Sequence, residues 1–193
     1  HHHLQTGGVT SVIDTQCKAL MQEGIEVNVM VGDACERTPG GLTPLQNPLL
    51  SYLPKDMELA DFKIQLQQLV MALREQCGAD TILHVHNLNL GKNPLLNLAC
   101  EQLSRSGMVV VNHCHDFAED NRPQNMEHLE RVILDCSDLP LAEVLYPKVS
   151  PYQYIIINQR DQKHLETQGV TTDRICHVPN AIPVPVTKDP VAS

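Results

Sequence analysis

The chain has 193 residues, 42% of them hydrophobic, with two Phe, four Tyr and no Trp; that length suits one domain, or one and a small part, around an aliphatic core. A formal net charge of -9 argues against nucleic acid, since a phosphate-backbone binder needs a basic face, and it gives no support for attachment to an anionic membrane. No stretch is long and apolar enough to predict a membrane span, and seven scattered cysteines without a CxxC pair suit reduced thiols in a cytoplasmic protein.

His1-His2-His3 reads either as the stub of a tag or as the native end of a strand whose beginning is absent. Gly7-Gly8 opens a predicted helix carrying Val9, Val12, Ile13, Cys17, Leu20 and Met21 at helical spacing, stopped by Gly24. Residues 25–31 alternate and predict a strand. Residues 32–56, rich in Gly and Pro, predict a long connection that is loosely packed or poorly ordered over 34–53. Pro54 to Cys77 reads as a long helix with Leu59, Phe62, Leu66, Leu69, Val70 and Leu73 on one face. A strand follows at 81–86 and a helix from Pro94, at its first turn, to Ser106. The next strand, near 108–112, runs into His113-Cys114-His115-Asp116. A helix near 125–135, an irregular stretch over 136–152, a strand at 154–157, a helix over 159–168 and a short strand at 175–178 complete the pattern. Strands alternating with helices in this way predict an α/β fold with a mostly parallel sheet covered on both faces.

Ligands of open α/β sheets bind outside the carboxyl ends of the strands, so the polar strand ends are the candidate site. Gly7 and Gly8 let a ligand approach the backbone, and the N–H groups of the first helical turn attract anions; the plain alternative is a glycine turn. Alternation puts His84 and His86 on one face, and His113-x-His115 repeats the spacing. Four imidazoles with Asp116 could hold zinc or iron, although the chain lacks the His-x-His-x-Asp-His order of the β-lactamase-type metallohydrolases. Asp116, Glu119, Asp120 and Arg122 are either a solvated loop face or a set of acceptors and donors for hydroxyl-rich ligands. Asp161, at the start of a helix, fits simple dipole complementarity.

Four stretches, HHLQTGGVTSVI, LHVHN, VVVNHCHDF and YIIINQRDQKHLETQGVTTDRICHVPNAI, stand in an order that resembles the N-terminal domain of GT-B-fold, retaining, nucleotide-sugar glycosyltransferases. The resemblance spans most of residues 4–182. It implies a Rossmann-like domain over 1–182, one half of a GT-B fold, and a linker over 183–193 leading to a C-terminal domain that the chain does not contain. It also implies that the group's first, central strand is missing or reduced to His1-His2-His3.

The activity so implied is transfer of a sugar from a nucleotide diphosphate sugar to a hydroxyl-bearing acceptor, with retention and with no metal or other cofactor. Catalysis would need the C-terminal domain, so the chain alone is expected to be inactive. His115 is the expected catalytic residue at the reacting sugar. Gly7 and Gly8 would lie beside the donor diphosphate, and His86, Asn87, Asp116, Glu119 and Arg122 would be acceptor-side. The rival expectations are a metal-dependent hydrolase built on the strand-end histidines and a non-catalytic ligand-binding domain.

Overall fold

The computed structural model describes residues 1–181, apart from 36 and 79; the expected linker at 183–193 and its junction at 182 lie outside them. The fold is α/β, with parallel strands and helices around them, as a Rossmann-like domain has. In chain order the elements are α1 (Gly8–Gln22), β1 (Met30–Val31), β2 (Leu45–Gln46), α2 (Leu59–Gln76), β3 (Ile82–His86), α3 (Pro94–Arg105), β4 (Val109–Cys114), α4 (Pro123–Cys136), α5 (Leu141–Leu145), β5 (Gln153–Ile156), α6 (Gln159–Thr167) and β6 (Ile175–His177), with short 3-10 turns between.

Strands β3, β4, β5 and β6 form one parallel sheet in that order, and β1 pairs with β2, also in parallel, as a separate two-stranded piece. Each neighbouring pair of the larger sheet is joined by helical connections, since parallel strands cannot be linked by a tight turn. Alternation along β4 divides its side chains between two faces. Val110 and Cys114 enter the main core with Val85, Tyr154 and Ile156, beneath α2, α3 and α4. The opposite face carries the histidines and is approached by α1. A smaller core joins Ile13 and Cys17 of α1 to Leu4, Val29 and Val31.

Helix α3 shows how the sequence sets these boundaries. Pro94 occupies its first turn and the Asn93 side chain accepts the Leu96 N–H at 3.2 Å, satisfying one of the free donors at a helix start. Gly107, at φ 98°, takes the left-handed position that ends it. Leu95, Leu96, Leu98, Ala99, Cys100 and Leu103 are all buried. Burying each of the four leucines contributes about 1.5–3 kcal/mol.

Three expectations change and a fourth holds in part. The strand at 25–31 shrinks to Met30–Val31, for want of a neighbour along its length. On one side it has β2 over two residues. On the other, among the described residues, lie residues 1–3: the His1 amine donates to Met30 O at 3.0 Å, and Gly32 N–H donates to His2 O at 2.8 Å. The His1 ring also reaches the His86 carbonyl, Nδ1 to O 3.3 Å, so this short run lies between the C-terminal ends of β1 and β3. The stretch 34–53 is partly organised, holding β2 and two 3-10 turns and burying Pro39, Leu50 and Leu53, while its other described residues stay partly or fully exposed, as loose packing predicts. Helix α2 begins at Leu59 rather than Pro54, because the buried face that supports it starts only at Phe62 and continues through Leu66, Leu69, Val70 and Leu73. Within the stretch read as irregular, α5 forms and buries Val144 and Leu145.

Candidate functional site

The carboxyl ends of β3 and β4 lie side by side, with His86 in register with His113. Because side chains alternate, His84 and His86 of β3 share a face with His113 of β4 and with His115, one residue past its end. The four rings form a ladder: His84 and His86 are 4.5 Å apart between centroids, His113 and His115 4.4 Å, and His86 and His115 5.5 Å. His84 Nε2 lies 3.4 Å from His113 Nδ1, and His86 Nδ1 lies 3.2 Å from His115 Nε2. The latter contact holds the His115 ring against the strand beside it.

The electrostatics follow from that crowding. Burial, helped by the neighbouring imidazoles, lowers His84 to about 4 and His113 to about 3, and puts His86 well below the ordinary histidine value. Burial also lowers His115, with the Asp116 carboxylate acting in the opposite direction. At neutral pH the ladder is therefore a set of neutral imidazoles, each able to donate from one nitrogen and accept at the other.

Beyond the ladder, Asn87 organises the turn that follows β4. It adopts the left-handed conformation, φ 62°, where asparagine is one of the few non-glycine residues tolerated. Its Oδ1 accepts the Asp116 N–H at 3.0 Å, and its Nδ2 donates to Asp116 Oδ2 at 3.2 Å. The other carboxylate oxygen of Asp116 accepts from Arg122 at 3.0 Å. Arg122 also donates to the Phe117 carbonyl at 2.9 Å. Asn87, Asp116 and Arg122 thus brace one another, while Asp116 and Arg122 keep 43% and 35% of their side chains exposed.

A second group lies on the same loop. Glu119 accepts from the buried Tyr146 hydroxyl at 2.5 Å, and that hydroxyl lies 2.8 Å from His164 Nε2. Burial and the Glu119 charge raise the Tyr146 hydroxyl far above the usual tyrosine value, so it stays protonated. Asp120 pairs with Arg160, and the buried Asp161 exchanges hydrogen bonds with Asn158, accepting at 2.7 Å and donating its N–H at 3.0 Å. Asp161 is therefore half of a helix cap as well as a dipole partner. Its burial raises its carboxyl above the usual value.

Gly7 and Gly8 lie where expected, at the start of α1, and no side chain caps that end. A Cβ at either position would meet nothing within 4 Å, so open space lies before the helix start. A cleft of about 400 Å³ borders the preceding loop, lined by His3, Gln5, Thr6, Asp33, Cys35 and Arg37 among others; the strand-end residues are not part of its wall. One contact links α1 to the ladder: Gln16 Nε2 lies 3.4 Å from His113 Nδ1.

The structure therefore brings together His86, Asn87, His115, Asp116 and Arg122 at adjacent strand ends, with Glu119 farther along the loop. Sequence reasoning missed Gln16, Tyr146 and His164. Gln16 lies on a helix read only for its apolar positions, and Tyr146 in a stretch without a usable period. A buried support was also missed: Asn112 Nδ2 donates to Asn89 Oδ1 at 2.7 Å beneath the end of β4.

Set beside known proteins, the chain shows a distant likeness to a glycosyltransferase, the mannosylglucosyl-3-phosphoglycerate synthase of Petrotoga mobilis. It is 25% identical to it over 202 aligned positions, which take in 99% of this chain and 38% of that protein. The chain thus spans well under half the length of the curated relative it matches. No protein-family model matches the chain, and no solved structure does.

Proposed function

We propose that the chain is the acceptor-side, Rossmann-like half of a GT-B-fold retaining glycosyltransferase of the hexosyltransferase type. The observation that carries this reading is the edge formed by β3 and β4, where His115 stands beside His86 and above the braced Asn87–Asp116–Arg122 group. His115 is neutral, held by its neighbour and partly open to solvent, as a hydrogen-bond donor to charge developing on a transferring sugar must be. Asp116, Glu119 and Arg122 offer acceptors and donors to acceptor hydroxyls, with His86 and Asn87 holding the edge in shape. The start of α1 at Gly7 and Gly8 would receive the donor diphosphate. The likeness to the Petrotoga synthase agrees with this assignment and makes a phosphoglycerate-bearing glycoside the first acceptor to try.

On this reading the rest of the donor site, and turnover, come from a C-terminal domain. The setting is cytoplasmic, in keeping with seven free thiols. Among the described residues, no helix is long and apolar enough to cross a membrane. The test is release of nucleoside diphosphate and formation of glycoside, followed by mass spectrometry over a panel of nucleotide diphosphate sugars, with the product anomer read by NMR. The chain alone should give no turnover, and the chain joined to its C-terminal domain should give the retained anomer. Turnover by the chain alone at an ordinary enzyme's rate would overturn the reading. In the joined protein, His115→Ala should lower kcat and kcat/KM together by about 10²–10³-fold, the usual loss for one donor to developing charge. An unchanged kcat in a normally folded variant would remove His115 from the site.

A further inference from the structure

Three rings of the ladder converge in a way that the proposed sugar transfer does not account for. His84, His86 and His113 each present one ring nitrogen such that all three lie within 4.8 Å of one another. An independent observation comes from His113 itself. It is 1% exposed, and among the described residues its Nε2 is buried with no hydrogen-bond partner. An orphaned polar atom in a packed interior is costly and calls for an explanation, an ion among them. The Gln16 side-chain oxygen, on the helix over the ladder, is likewise buried without a partner; it is an acceptor of the kind that fixes a ligating histidine through its second nitrogen.

We propose that His84, His86 and His113 form a binding site for a divalent transition metal, zinc before others, with three neutral imidazoles as ligands. The donor set is all nitrogen, which suits zinc, copper or nickel and not magnesium or calcium. The strands supply the preorganisation. Two ligands come from alternate positions of β3 and the third from β4, directly across from His86. The ion would clasp the two strands that carry the candidate edge. A fourth position would be left for water, because the ring nitrogens that converge are those of His84, His86 and His113 and not of His115. The site shares His86 with the proposed transfer edge, and His84 and His113 lie outside the residues proposed for transfer.

The test uses the 193-residue chain freed of metal with a chelator and titrated with zinc chloride by calorimetry, with cobalt chloride as a spectroscopic check. One ion per chain should bind at micromolar affinity or better, and cobalt should show the intense visible bands of a tetrahedral site. His84→Gln removes a ligand at a partly exposed position and should leave the fold intact, as read by circular dichroism. It should weaken zinc at least about 100-fold, more than the 10–100-fold typical of losing an outer-shell partner. His113→Ala should do the same where it folds. His3→Ala and His164→Ala should leave binding unchanged. Absence of stoichiometric zinc binding overturns the proposal, as does binding that survives His84→Gln. Binding abolished by His3→Ala but kept by His84→Gln would assign the ion to the N-terminal histidines and overturn it too.

Discussion

Replacing Asn87 by alanine tests the reasoning about the edge most directly. The substitution removes the acceptor for the Asp116 N–H and the donor to the Asp116 carboxylate, at 3.0 and 3.2 Å. Two such bonds are worth about 1 kcal/mol each, or somewhat more where a charged partner is involved. It also forces alanine into φ 62°, a conformation costing about 1 kcal/mol for an ordinary residue. The sum is roughly 2–4 kcal/mol, a large share of the about 5–15 kcal/mol that holds a typical domain together. Asn87→Gly loses the same hydrogen bonds but relieves the backbone, so it should be more stable than the alanine variant by about 1 kcal/mol. Urea denaturation of the three proteins gives all the differences needed. An alanine variant within about 0.5 kcal/mol of wild type, the range of an ordinary surface change, would refute the bracing role. So would a glycine variant no better than alanine.

Two further outcomes follow from buried groups. His2 is buried and its Nδ1–H donates to the Leu50 carbonyl oxygen at 2.7 Å; burial lowers it to about 4 from 6.5. Its folded value lies below its unfolded one, so its share of stability is complete above pH 6.5 and is lost as the pH falls toward 4. That share reaches about 3 kcal/mol at most, and His2→Leu should flatten the fall in Tm between pH 7 and pH 4.5; equal slopes in the two proteins would contradict it. Tyr146→Phe removes the hydroxyl between Glu119 and His164 and should cost about 1–3 kcal/mol, measured by urea denaturation; a neutral effect would mean the Glu119 contact contributes nothing.

What the sequence disclosed depended on how local the cause was. Strands β3 to β6 were legible because each is a short apolar run between helix signals, and the helix ends were legible where Pro94 and Gly107 act through their own backbone angles. The strand at 25–31 has as clear an alternation as any, yet only two residues of it pair, since pairing depends on a neighbour elsewhere in the chain. At the site, His86, His115 and Asp116 were visible because strand ends meet at one edge. Their partners were not. That Asn87 spends both side-chain groups on Asp116, that Tyr146 reaches Glu119, and that Gln16 touches His113 are facts of register and packing. No spacing rule in the sequence encodes them.

The place occupied by His1–His3 has a practical side. Among the described residues β3 has a strand neighbour on one side only, and Ile82, at its start, is 59% exposed, as Ile25 ahead of β1 is 50% exposed. An open strand edge presents unpaired N–H and C=O groups on which another chain can add. The 193-residue chain should therefore self-associate through this seam as its concentration rises, growing by β-pairing and not through the charged helix surfaces. Ile82→Lys, which puts a charge on that edge strand, would be a direct way to keep preparations monomeric.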